Sequence, residues 1–230
     1  MRRAGAFLAG HWHLLALVVV IFALWRTPVV MPLKLLVVFL HEVSHALATL
    51  LTGGSVESLT LSPDQGGMVI SRGGNRFVTL SAGYLGSLLI GVALFVIAVR
   101  THLDRALLAF LGALLLAVSL IYVRDLFALA FGIATGAAML AAARYLPRDA
   151  CDLVLRVIGL ASMIYVPYDI FSDTIARAHL QSDAWMLAQE FGGPTLFWGG
   201  LWLVISLGVI ALCLRYGLGA SSNFRRGQST

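Results

Sequence analysis

Seven apolar runs of near membrane-spanning length follow one another along this chain, and a water-soluble fold cannot bury them all. They cover about His13–Trp25, Val29–Leu51, Phe77–Val99, Ala106–Val123, Leu126–Ala142, Asp152–Ile170 and Leu196–Leu214. A hydrocarbon core needs roughly 20 apolar residues per helix, and only helices or closed barrels satisfy their backbone groups inside it. The pattern therefore predicts an all-α membrane protein. It would be a polytopic bundle of about six to seven transmembrane helices, read as a single domain over residues 1–230. Composition agrees, with 60% hydrophobic and 12% charged residues and a mean hydropathy of +0.91. Soluble domains carry about 25% charged residues. The net charge of +5 comes from basic residues that punctuate the apolar runs. They read as membrane flanks, so the expected partner is the lipid bilayer and not nucleic acid.

Arg2 and Arg3 ahead of the first run resemble a secretory signal. No small-residue cleavage site follows, and the next run begins almost at once, so a short first membrane helix is the better reading. Orientation is contested by the charges. Arg2 and Arg3 favour a cytoplasmic N-terminus, whereas seven spans would then leave Arg215, Arg225, Arg226 and the Arg100/Arg105 and Arg144/Arg148 pairs outside. Cys151 and Cys213 show no disulfide or metal spacing.

Two polar stretches interrupt the pattern. Residues 55–75 hold alternating pieces, Val56–Leu61 and Gly67–Ser71, around Pro63-Asp64-Gln65-Gly66, which predicts a β-hairpin. In residues 172–194, Ser182-Asp183-Ala184 has the character of a helix N-cap before Trp185, and an interfacial helix is expected there.

The second run contains His41-Glu42-Val43-Ser44-His45, between Leu35-Leu36-Val37-Val38-Phe39-Leu40 and Ala46-Leu47-Ala48-Thr49-Leu50-Leu51. On a helix the two histidines share one face, so both imidazoles can reach one Zn2+ ion, and Glu42 adjoins them as a general base. Three ionisable groups in one turn cost several kcal/mol in lipid unless paired, hydrated or metal-bound. A hydrogen-bonded polar cluster between helices is the plain alternative.

The stretch HEVSHALATLLTGGSVESLTLSPDQGGMVISRGG resembles the opening of the site-2-protease-like intramembrane zinc metallopeptidases, and in particular their compact bacterial branch. Further similarity lies in Ser81-Ala82-Gly83-Tyr84-Leu85-Gly86, Tyr168-Asp169-Ile170, Ser182-Asp183-Ala184 and Trp198-Gly199-Gly200-Leu201-Trp202. The resemblance implies a zinc metalloendopeptidase of the bacterial inner membrane. Its substrate would be a membrane-embedded protein, and its hairpin would pair with the unwound substrate as an added strand. A dry site needs such partners for an extended backbone. Gly66 and Gly67 would let the two backbones come close.

A catalytic zinc takes three protein ligands and a water. The better-known relatives supply an aspartate from an asparagine-proline-aspartate-glycine or leucine-aspartate-glycine motif, which this chain lacks. Asp169, in the Tyr-Asp block at the end of the sixth run, is the favoured third ligand. Asp125, with Arg124 to neutralise it, and Asp173, one turn beyond Asp169, compete with it. Asp183 is explained well enough as part of a cap, and it or water alone is the remaining alternative. His11, His13, His102 and His179 sit near span ends and read as interfacial. Gly83, Gly86, Ser81 and Ser87 suit close helix packing, and Gly132 and Gly136 form a G-x-x-x-G that need not mean a dimer. Two other functions fit the same residues. A catalytically inactive, protease-like scaffold would tolerate Glu42→Gln. An ion or metal transporter would string its acids along a path, where a protease gathers two imidazoles and one carboxylate at a point.

Overall fold

The computed structural model describes residues 2–177, 180–218 and 222–223, so the expectations for His179, Arg225 and Arg226 lie outside the described residues. Among these residues, eight α-helices and one hairpin follow in the order α1 (Arg2–Leu24), α2 (Met31–Leu51), β1 (Ser55–Leu61), β2 (Gly67–Arg72), α3 (Arg76–Arg100), α4 (Asp104–Tyr122), α5 (Leu126–Tyr145), α6 (Arg148–Phe171), α7 (Asp183–Phe191) and α8 (Thr195–Gly217). Among the described residues, six helical stretches are long and apolar enough to cross a membrane: Pro28–Leu51, α3, α4, α5, Arg148–Ala176 and α8. The first apolar run is also helical. Its apolar part, Leu8–Leu24, is shorter than the rest, and the helix is kinked at His11, where φ is −132° and ψ is 15°. The first of the seven expected spans is therefore a helix whose apolar stretch is shorter than those of the six.

Local chemistry sets the boundaries. Pro28 opens a 3-10 turn and Pro32 lies in the first turn of α2, where a missing N–H costs nothing. Gly53, at φ 84°, ends α2 in the left-handed region. The Asn75 side chain accepts from Val78 N at 3.1 Å and starts α3. Asp125 does the same for α5, accepting from Ala128 N at 2.7 Å.

Helix α3 packs on both α2 and α6, and α4 pairs with α5. Small residues allow the close crossings. A Cβ on Gly159 would lie 2.7 Å from the Gly91 carbonyl oxygen, and one on Gly136 would lie 2.8 Å from that of Gly112. The Gly132–Gly136 motif thus serves the α4–α5 contact inside this chain.

The hairpin is antiparallel, with Ser55 opposite Arg72 and Leu61 opposite Gly67, and it has an irregularity at Glu57. Its strands extend the expected ones by one residue at each outer end. Leu59 and Leu61 are buried, and Leu59 bridges the backbone of Val123. This seats β1 against the protein and leaves β2 as the second edge of a two-stranded sheet.

Candidate metal centre

On α2, His41 and His45 stand one turn apart with their Nε2 atoms 2.9 Å from each other. The Asp183 Oδ2 atom lies 3.1 Å from each of those nitrogens. These three donors converge from two segments 142 residues apart in sequence. Helix α7 delivers the carboxylate. Its Ser182 hydroxyl accepts from Trp185 N at 3.3 Å and caps the helix, which frees the Asp183 side chain to face α2. Ala184 and Leu187 are fully buried beneath α7, and Arg76 Nε donates to Glu190 at 3.1 Å, tying α7 to the start of α3. Burial alone would raise the Asp183 carboxyl, but His45 and His41 oppose this and hold it well below the usual carboxylate range.

Of the candidate carboxylates, the structure brings Asp183 to the two imidazoles, and not Asp169, the one favoured from the sequence. Asp169 lines the same cavity, on α6, but it is not among the three donor atoms that lie within 4.8 Å of one another. Asp173 is committed elsewhere: it accepts from the Tyr84 hydroxyl at 2.9 Å and pairs with Arg177. Asp125 caps α5, as described above. Arg124, the expected partner of Asp125, donates instead to the carbonyls of Val123 and Ile121, at 3.0 and 2.6 Å. The sequence did hold one signal for Asp183. A serine directly before it already supplies the cap, which makes the aspartate redundant for that purpose.

The donor set fits a zinc ion. Two imidazole nitrogens and a carboxylate oxygen are common zinc ligands, and bonds near 2.0–2.1 Å place neighbouring ligands about 3.3 Å apart in a tetrahedron. The observed separations of 2.9–3.1 Å need only a slight opening. The His45 Nδ1–H donates to the carbonyl of Thr79 at 2.7 Å, which fixes the ring and turns the Nε2 lone pair toward the site. The edge of the Tyr84 ring packs against His41, with centroids 4.6 Å apart.

Two glycines bring other elements onto this centre. Gly83 of α3 faces both imidazoles, and a Cβ there would come within 2.5 Å of His45 Nε2 and also strike His41. Gly67, at the start of β2, lies on the buried Glu42 side chain, where a Cβ would meet Cγ at 2.7 Å. Gly67, expected to admit a substrate backbone, here makes room for the Glu42 side chain. A cavity of about 900 Å³ opens over the three donors, with Glu42 and the β2 edge from Gly67 to Ser71 in its wall.

A family model described as Peptidase M50B-like matches residues 14–213, from within α1 almost to the end of α8. No curated protein and no solved structure matches the chain. With most of its length matched, and with His41, Glu42, His45 and Asp183 inside the matched region, this integral membrane protein belongs to the Peptidase M50B-like family.

Proposed function

We propose that the protein is a zinc-dependent endopeptidase of the bacterial inner membrane that cuts membrane-embedded protein segments. The observation that carries this reading is the convergence of the Asp183 carboxylate, from the short helix α7, on His41 and His45, which flank Glu42 in a spanning helix. An ion pathway would spread its acids along a route; here one carboxylate meets both imidazoles at a point.

His41, His45 and Asp183 would hold the ion. A bound zinc supplies Lewis acidity and lowers the pKa of a coordinated water. Glu42 follows the first ligand on α2, and its carboxylate takes the proton from the attacking water and returns it to the leaving amine. Burial against Gly67 keeps Glu42 out of bulk water. The second edge of β2 offers backbone N–H and C=O groups along the cavity wall, and an extended substrate adds there as a third strand.

The test is Glu42→Gln. The variant should retain its zinc, while cleavage of a membrane-embedded reporter helix falls by about a thousandfold. Cleavage at the wild-type rate would show that Glu42 is not the base.

A further inference from the structure

The chain contains 16 basic side chains, of which Lys34 is the single lysine. It lies within the first spanning stretch, seven residues before His41. The residues Lys34, Val38, His41 and His45 follow one another at steps of four, three and four, so they share one face of α2, and all four line the cavity over the metal centre. Several other cations are matched by oxygens: Arg76 by Glu190, Arg156 by Asp152, Arg177 by Asp173, and Arg100 and Arg105 by backbone carbonyls, while Arg144 and Arg215, in the last turns of α5 and α8, lie over the rings of Tyr145 and Tyr216 and do not line the cavity. The Lys34 ammonium sits 4.8 Å from the centre of the Trp25 ring and, among the described residues, has no hydrogen-bond or ion-pair partner. A cation inside a membrane span is costly unless an anion, a ring or water compensates it. The ring of Trp25 covers one side of it.

We propose that Lys34 is an anion-binding subsite of the cavity that takes a carboxylate of the bound substrate. This rests on the peptidase reading above. Seven helical residues span about 10 Å, which an extended peptide covers in roughly three residues. A chain lying across the three donors thus brings a carboxylate near Lys34 when it carries an acidic side chain, or its own C-terminus, about three residues from the scissile bond.

The experiment measures binding apart from turnover. The probes are fluorescent apolar peptides in detergent micelles, identical except for aspartate, alanine or lysine at one position moved along the chain, each with a free or amidated C-terminus. Anisotropy is read with zinc-loaded Glu42→Gln protein. The aspartate peptide or the free acid should bind about tenfold more tightly than the alanine amide, as one charge-assisted contact provides. Which of the two gains identifies the source of the carboxylate. Adding Lys34→Met, which keeps an unbranched stem against Trp25, should erase the difference. Adding Lys34→Glu should shift the preference to the lysine peptide. Zinc content equal to wild type verifies that each variant holds its site. Equal binding of all peptides, no binding, or a preference that survives Lys34→Met overturns the proposal. Cleavage of the preferred peptide by protein with Glu42 intact is scored separately. A Lys34-dependent preference without cleavage would overturn the peptidase reading and leave the anion site standing.

Discussion

Asp183→Ala is expected to strip the purified protein of most of its zinc and to abolish peptide hydrolysis, whereas Asp169→Asn should keep about one zinc per chain. The reason is geometric. The Asp183 oxygen is 3.1 Å from both imidazole nitrogens, and Asp169 does not belong to that cluster. Changes to outer partners of a zinc site already cost about 10–100-fold in affinity, so removal of a direct ligand should exceed that range. Asp183→Asn is the companion variant, because it preserves the volume of a buried side chain while discarding its charge. Ser182 still caps α7 in both variants, so the helix itself should persist. Metal analysis after dialysis at fixed free zinc decides the matter. If Asp169→Asn empties the site and Asp183→Ala does not, the ligand assignment is reversed.

Gly83→Ala should be almost as damaging, although it alters no functional group. The added methyl would come within 2.5 Å of His45 Nε2 and overlap His41 as well. Both rings are restrained, one by the Thr79 carbonyl and the other by the Tyr84 ring, so neither can swing aside cheaply. Overpacking of this kind costs about 1–3 kcal/mol. Here it falls on the donor atoms, so zinc affinity should drop along with thermal stability. Gly200→Ala in α8 is the matched control. A Cβ there meets nothing within 4 Å, and replacing a helical glycine by alanine is worth up to about 1 kcal/mol in favour of the helix. Equal zinc content and melting temperature in the two variants would show that α3 does not need a glycine against the metal centre.

Much of this architecture was legible before any coordinates, and the reasons differ by element. The spans were visible because hydrocarbon demands long apolar helices, and five of the expected runs lie within α3, α4, α5, α6 and α8 to within a residue. The hairpin was visible because its turn chemistry brackets two alternating segments. The shared face of His41 and His45, with Glu42 beside them, was visible because spacing on a helix is a local property. The third carboxylate was hidden because its approach is not local. Asp169 is at the end of a spanning helix, where an acid calls for explanation, but its rotation relative to α2 depends on how α6 packs on α3. Asp183 looked explained by a cap that Ser182 in fact provides. What places it over α2 is the packing of α7 on α3 and α8, which involves Ala184, Leu187 and the Arg76–Glu190 pair. Asp125 likewise has the role its position after a span suggests, that of starting the next helix.

Two of the three donors belong to a spanning helix and the third to a short helix that does not span, so the ion would act as a clasp across most of the polypeptide. Its release would leave α7 held by its apolar seat and by the contacts of Arg76 with Glu190 and Met186. Free zinc would then set how firmly the wall of the cavity is fastened. Each tenfold increase above the dissociation constant adds about 1.4 kcal/mol to the closed arrangement. In a starved membrane, metal supply would govern the shape of the chamber as well as its chemistry.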